Sequence, residues 1–281
     1  MLDIQSLSFH YQKGKSLFDN LNLEIETGKI YGLLGLNGAG KTTLLKLMGG
    51  TLLPKRGTIL LEGMNVSLRS SEVLEQIYMI PEDFNLPSIK ITQCVTANAR
   101  FYPHFDQKYF KKLLDDFELS PSSTIQSLSY GQKKKFLIAF GIATNVPLLL
   151  LDEPTNGLDI PSKSQFRKAM VEAVSNRRTF LISTHQVRDL SSMMDQVVMI
   201  DQGKIIFNQP VSRISSVLGF GQIPNDTTEF LYSEESLVGR QGIFKNCDGE
   251  SSVDFELLFN ALLHNSTLIN NCFKTEINEN V

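Results

Sequence analysis

Ile30-Tyr31-Gly32-Leu33-Leu34-Gly35-Leu36-Asn37-Gly38-Ala39-Gly40-Lys41-Thr42 decides the fold. Its first five residues form an apolar run of strand length, and from Gly35 to Thr42 the chain follows the phosphate-binding pattern G-x-x-x-x-G-K-[ST]. A helix is expected to start at Lys41, pass through Thr43 and stop near Gly49-Gly50. Strand, glycine-rich loop and helix in that order make an anion cradle, because the glycines let main-chain N–H groups face phosphate oxygens and the helix N-terminus adds its dipole. Gly35, Leu36, Asn37, Gly38, Ala39, Gly40, Lys41, Thr42 and Thr43 are the expected contacts. Lys41 would reach the β- and γ-phosphates, and Thr42 would offer its hydroxyl to Mg²⁺, a hard ion that prefers oxygen. A glycine turn without nucleotide is the structural alternative.

Upstream, Ile4, Leu7 and Phe9, then Leu21, Leu23 and Ile25, alternate with polar residues on either side of a turn at Gly14-Lys15. This predicts an antiparallel sheet leading the domain. From Pro81 to Asn145 helical spacing takes over, clearest at Phe110, Leu113, Leu114 and Phe117, the stripe of a buried helix face. Strands are then expected at 148–151, 179–183 and 197–200, with helices at 164–174 and 187–194. Continuous apolar runs between helices predict a parallel sheet covered on both faces. A composition shift near Ser212, followed by Gly219, Gly221 and Pro224, marks the expected start of an extension over 212–281. There, strand-like pieces at 230–232 and 242–245 precede an amphipathic helix with Phe255, Leu258, Phe259, Leu262 and Leu263, able to dock on the main domain or on a partner.

Two further segments carry chemistry. Leu148-Leu149-Leu150-Leu151-Asp152-Glu153-Pro154 is a buried strand ending in two adjacent acids. Neighbouring side chains on a strand point to opposite faces, but at its end the chain turns, so Asp152 can face a metal while Glu153 faces water. Leu128-Ser129-Tyr130-Gly131-Gln132 leads into a helix, and Ser129 with Gln132 also fits an ordinary capping box. His185, just past the 179–183 strand, reads by itself as a satisfied core or turn histidine, and Tyr11 as an aromatic of an early strand.

In this order the three motifs resemble the ABC ATPase family, whose signature is usually L-S-G-G-Q, over roughly residues 1–211. The resemblance implies an α/β P-loop NTPase core with a mostly parallel sheet, an N-terminal antiparallel β subdomain, a helical subdomain at about 82–145 and a small C-terminal α+β extension. It implies ATP and Mg²⁺ as cofactors, with Tyr11 on the adenine and Thr42, Asp152 and Glu82 around the metal. Glu153 becomes the general base, His185 the switch that holds the γ-phosphate, Lys41 a catalytic cation, and Asp159 the end of the loop after the second motif. Ser129, Gly131 and Gln132 then contact the nucleotide of a second copy or close paralogue, since such domains clasp two ATP molecules head to tail. The partner it implies beyond that is a polytopic permease, which would hold the chain on the cytoplasmic face of a membrane. The stretch Phe101-Tyr102-Pro103-His104-Phe105-Asp106 looks like those of bacterial exporter ATPases. A soluble non-transport ABC ATPase and a regulatory module that binds ATP without hydrolysis stay open as alternatives.

Two departures stand out. Glu82 occupies the place of the family's usual glutamine, adding negative charge near the γ-phosphate and predicting slow turnover; Tyr130 replaces the first glycine of the signature. Lys133-Lys134-Lys135 reads as a solvated helix face.

Bulk properties limit the remaining choices. The 281 residues fit one large domain with an appendage but not two complete ATPase cores, and 42% hydrophobic with 20% charged residues is the balance of a chain with a substantial core. A net charge of −3 with interspersed signs gives no basic footprint for nucleic acid. Cys94, Cys247 and Cys272 are odd in number and far apart, so neither a disulfide framework nor a metal spacing is expected, and free buried thiols in a reducing cytosol are. The start Met1-Leu2-Asp3 lacks signal-peptide character, and the apolar stretch 136–151 is interrupted by Thr144, Asn145 and Pro147 and is shorter than the about 20 residues a membrane span needs.

Overall fold

Whether a strand is apolar throughout or only at every second residue decides where it sits. In the computed structural model, which describes residues 1–274 apart from 13, 176, 224–229, 237–238, 247–248 and 250, β1 (Leu2–Phe9) and β2 (Phe18–Ile25) alternate buried and open residues. They pair antiparallel, Leu2 opposite Ile25 and Phe9 opposite Phe18. β3 (Ile30–Leu34) is buried at every position, as is β7 below, because covering layers lie on both sides.

After β3 come α1 (Lys41–Met48), β4 (Arg56–Leu61), β5 (Met64–Asn65), α2 (Ser71–Leu74) and β6 (Ile77–Ile80). The helical insertion holds α3 (Ile91–Asn98), α4 (Gln107–Asp116) and α5 (Tyr130–Ala143). Then follow β7 (Leu148–Asp152), α6 (Ile160–Ala173), β8 (Thr179–Thr184), β9 (Gln196–Asp201), β10 (Lys204–Pro210) and α7 (Val211–Val217). β11 (Leu218–Gln222), β12 (Tyr232–Ser236), β13 (Gly239–Lys245) and α8 (Phe255–Asn271) complete the described chain.

The central six-stranded sheet runs β10-β9-β3-β8-β7-β6, parallel from β9 to β6, with β10 antiparallel at the edge. Its alternate residues feed two cores. Ile30, Leu34, Leu149, Leu151, Phe180 and Ile182 join the helical side, whereas Tyr31, Leu33, Leu148, Leu150 and Leu181 join β1, β2, β4 and α1. Each fully buried leucine or isoleucine contributes about 1.5–3 kcal/mol, so a one-residue slip would undo both layers. The fold is that of the ABC ATPase cassette the resemblance implied. The four-stranded antiparallel sheet, ordered β2-β1-β4-β5, leads it, although the sequence reading did not place β4, β5 or β6.

Phe110, Leu113, Leu114 and Phe117 are buried as their spacing predicted, and Asp106 caps α4 by accepting from the N–H of Tyr109 at 2.8 Å. The helix expected at 187–194 is only a single turn, Val187–Asp189. Ser191 Oγ donates to the carbonyl of Arg188 at 3.0 Å, and Leu190, Met193 and Met194 are buried from irregular chain. α6 starts at Ile160 rather than 164, because Asp159 caps it and proline is tolerated in the first turn. The piece expected as a strand at 230–232 instead enters its strand at Tyr232.

The C-terminal extension docks on the main domain. Phe255, Leu258 and Leu262 are buried, with Phe259 and Leu263 half-buried, in the same core as Phe207 and Ile214. Phe273 meets Phe207 edge-on at 5.5 Å and Asn270 Nδ2 donates to the carbonyl of Ile206 at 2.8 Å, while inside the extension Arg213 donates to the carbonyl of Phe273 at 2.7 Å. Cys94 is a buried free thiol and Cys272 a half-buried one; Cys247 and Pro224 lie outside the described residues. Among the described residues no helix is long and apolar enough to cross a membrane.

One buried cation knits α5, α6 and β8. Arg178 donates from Nη2 to the carbonyl of Ile142 at 2.8 Å, from Nε to that of Val146 at 3.3 Å and from Nη1 to that of Ala173 at 3.3 Å. Burial pulls its guanidinium down to about 10. Arg178→Met is expected to lower unfolding stability by about 3 kcal/mol, because several buried carbonyls lose their donor at once. Urea denaturation checks this, and a loss below about 1 kcal/mol would remove Arg178 from the list of fold-holding residues.

Candidate nucleotide site

The phosphate loop leaves the C-terminal end of β3 and enters α1, so the first N–H groups of that helix have no carbonyl partner four residues back. Gly40 takes φ +111, and a Cβ there would lie 2.8 Å from the Phe18 ring, which explains glycine at that position. Lys41 is 6% exposed. Its Nζ donates to the carbonyls of Gly35 at 2.8 Å and Leu36 at 3.2 Å and lies 3.7 Å from Glu153 Oε1. Burial lowers the Lys41 pKa, opposed by the carboxylates of Glu153, Asp152 and Glu82.

A cavity of about 650 Å³ opens over this loop. Asn37, Gly38, Gly40, Lys41, Thr42 and Thr43 line its floor, and Tyr11, Glu82, Glu153 and His185 line its walls. Gly35, Leu36 and Ala39 belong to the loop but do not face the cavity. Tyr11 is 63% exposed, with its hydroxyl 3.0 Å from Thr43 Oγ1 and its ring edge-on to Phe9 at 5.0 Å. An exposed ring at a cavity mouth has a free face for stacking, unlike a core aromatic.

β7 ends at Asp152, and Glu153 adopts φ +44, so the two acids part. Ser183 Oγ donates to Asp152 Oδ1. Glu153 Oε1 lies 2.8 Å from His185 Nδ1. The other oxygen of each acid, Asp152 Oδ2 and Glu153 Oε2, is buried without a hydrogen-bond partner among the described residues. Buried unpaired carboxylate oxygens are costly, and a divalent cation and a water are the species that would satisfy them. The orphaned Asp152 Oδ2 fits a ligand of Mg²⁺, which takes few protein oxygens and keeps several waters, and Thr42 and Glu82 offer oxygens from the lining of the cavity. Glu82 Oε1 also accepts from Asn156 Nδ2 at 2.9 Å.

Ser129, Gly131, Gln132 and Asp159 do not line this cavity. Ser129 and Gln132 form a capping box on α5: the Gln132 N–H donates to Ser129 Oγ at 3.2 Å, and the Ser129 N–H to Gln132 Oε1 at 3.0 Å. Asp159 accepts from the N–H of Ser162 at 2.9 Å. These bonds are satisfied inside one chain.

Sequence reasoning missed Gln12, Lys15, Ser16 and Leu17, which line the cavity beside Tyr11; no spacing marks them, because the β1–β2 connection brings them there. It also misread Lys134. Far from solvated, Lys134 is 0% exposed, because α5 turns it inward while Lys133 and Lys135 remain half-buried. Nothing in a run of three lysines distinguishes the middle one.

A triphosphate cradle at the end of a parallel strand, walled by paired acids and a histidine, defines a P-loop nucleotide-hydrolysing site. The profile of the ABC transporter family matches residues 18–156. ABC transporter ATP-binding protein YtrB of Bacillus subtilis is 31% identical over 206 residues, covering 73% of this chain and 70% of its own. Methionine import ATP-binding protein MetN of Carboxydothermus hydrogenoformans is 34% identical over 227 residues, covering 73% and 65%. Nod factor export ATP-binding protein I of Burkholderia thailandensis is 27% identical over 271 residues, covering 91% and 89%. A solved ATP-binding subunit of an ABC transporter superposes with TM-score 0.69 at 25% identity, over 76% of this chain and 91% of that one. The chain belongs to the ATP-binding proteins of the ABC transporter family. It is an ATPase and the ATP-binding subunit of such a transporter.

Proposed function

We propose that this chain drives a membrane exporter through ATP-dependent closing and reopening of a pair of cassettes, with Lys41, Glu153 and His185 as the catalytic groups. The observation that carries the reading is their convergence in one cavity: Glu153 Oε1 lies 3.7 Å from Lys41 Nζ and 2.8 Å from His185 Nδ1. The cradle from Gly35 to Thr43 holds the phosphates, Tyr11 stacks on the base, and Glu153 takes the proton of the attacking water. His185 holds the γ-phosphate and registers its loss. Thr42, Asp152 and Glu82 would hold Mg²⁺, which would supply charge neutralisation to the phosphates when bound. A second ABC ATPase subunit, the same chain or a close paralogue, brings its Ser129, Gly131 and Gln132 to this nucleotide, and its Asp159 loop beside them. The satisfied capping box and exposed Tyr130 support a helix N-terminus presented outward.

Residues 1–211 form the cassette, with the helical subdomain at about 82–145, and residues 212–281 an accessory extension packed on it. The helical subdomain meets a polytopic permease, which keeps the chain peripheral on the inner face of a cell membrane. An apolar cavity of about 380 Å³ that includes Tyr78, Leu86, Phe101 and Tyr102, with Phe101 60% exposed, suits insertion of a short permease helix. Export is favoured over import because the relative named for Nod factor export matches into the extension.

Titration calorimetry tests the site: binding of ATP with Mg²⁺ at least about tenfold tighter than with chelator is expected, since the unpaired acid oxygens repel a bare triphosphate. Equal affinities would dismiss the metal assignment. Purification from native membranes in mild detergent should bring a polytopic protein along, and recovery of the chain alone would count against the permease.

A further inference from the structure

Lys134 sits on the first turns of α5, directly behind the signature segment, and is wholly buried. A buried ammonium costs several kcal/mol unless its surroundings compensate it. Here Nζ donates to two main-chain carbonyls, Glu153 at 2.7 Å and Asn156 at 3.0 Å, and stands 5.4 Å from the Tyr130 ring centroid. The two carbonyls bracket the turn after β7, the turn in which Glu153 holds a left-handed φ of +44. A glutamate keeps that conformation only where its surroundings impose it.

The same turn reaches Glu82. Asn156, whose carbonyl accepts from Lys134, donates its own side-chain N–H to Glu82 Oε1 at 2.9 Å, so one residue separates the buried ammonium from the carboxylate. Tyr130 closes the loop from the other side. Its hydroxyl donates to the Glu82 carbonyl at 2.9 Å, its ring stacks on Phe84 at 5.2 Å, and it fills the space where a Cβ on Gly157 would stand 2.8 Å away. The two departures from the family pattern, Glu82 and Tyr130, thus flank one lysine, Tyr130 directly and Glu82 through Asn156. Burial lowers the Lys134 pKa, while Glu82, Glu153, Asp152 and Asp83 favour its charged form.

We propose that Lys134 is a positioning residue for hydrolysis, the counter-charge to Glu82 that also pins the turn aiming Glu153 and so ties the signature helix to this chain's own hydrolytic carboxylate. The idea rests on Glu153 being the base. It gives Glu82 a cation that a neutral glutamine would not need, and it links the nucleotide each chain holds to the one it covers in the partner.

A double-mutant cycle on the purified 281-residue chain tests it. Lys134→Met, close in volume, is expected to lower kcat by about 30-fold, within the range for a misaimed reacting group, with the ATP dissociation constant changed less than about threefold. In the Glu82→Gln background the same change should recover about fivefold or more of that loss, because no carboxylate is then left uncompensated. Recovery below about fivefold, or an unchanged kcat in Lys134→Met, overturns the proposal. If Lys134→Met alone fails to fold while the double variant folds, the charge pairing is supported. If both fail, Lys134 serves the fold whatever residue 82 carries, and the proposal falls. Glu153→Gln, measured alongside, separates the two readings: retained turnover there rejects the base, whereas the coupling between residues 82 and 134 is read from the cycle itself.

Discussion

Glu153→Gln is expected to cut steady-state ATP hydrolysis by about 10²- to 10⁴-fold, the range for loss of a positioned general base, while leaving ATP affinity within about threefold. Glutamine fills the same space beside Lys41 and His185, and the phosphate loop, Thr42 and Asp152 are untouched, so the ground state keeps its contacts. What disappears is the second carboxylate oxygen, Oε2, which is buried and unpaired among the described residues and which the proposed mechanism uses as the proton acceptor. If closure follows binding and reopening follows phosphate release, as proposed above, the variant should also accumulate as an ATP-bound dimer on size exclusion. Single-turnover rates within about threefold of the parent would remove Glu153 from the chemistry.

Readability from sequence followed the range over which each signal acts. The phosphate loop, the buried strand at 148–152 and the Phe110–Phe117 stripe are local patterns imposed by backbone sterics and burial, and each of these elements sits where its residues predicted. The turn after Asp152 likewise separates the two acids as the end of a strand requires. Lys134 illustrates the opposite case. Its neighbours in sequence are lysines, and its inward orientation depends on carbonyls at Glu153 and Asn156, some twenty residues away along the chain. The helix expected at 187–194 stops after one turn, although Leu190 and Met194 are buried as its periodicity predicted. The cavity wall formed by Gln12, Lys15, Ser16 and Leu17 has no pattern at all, because it is made by the way β1 and β2 are joined. The extension's helix was legible as amphipathic, but its docking partner was not. That choice is settled by Phe207 and Ile206, which lie in the main domain.

Lys41→Ala should weaken ATP binding by about 100-fold, equivalent to about 3 kcal/mol, the middle of the range for deleting one partner of a buried charge-assisted contact. Lys41 carries two opposing costs. In the free chain its ammonium is desolvated, a cost that removal relieves, but the carbonyls of Gly35 and Leu36 then lose their donor, so the two effects offset and thermal stability should fall only modestly. With nucleotide present the balance reverses: Glu153, Asp152 and Glu82 would then face a triphosphate with one fewer cation between them. The loss should therefore grow with phosphate charge, larger for ATP than for ADP, because the proposed pose puts the γ-phosphate nearest the acids. The same ordering distinguishes a direct phosphate contact from damage to the loop, which would weaken both nucleotides alike. Calorimetric titration of ATP and ADP into parent and variant decides between them, and equal losses for the two nucleotides would place Lys41 in loop architecture rather than in γ-phosphate recognition.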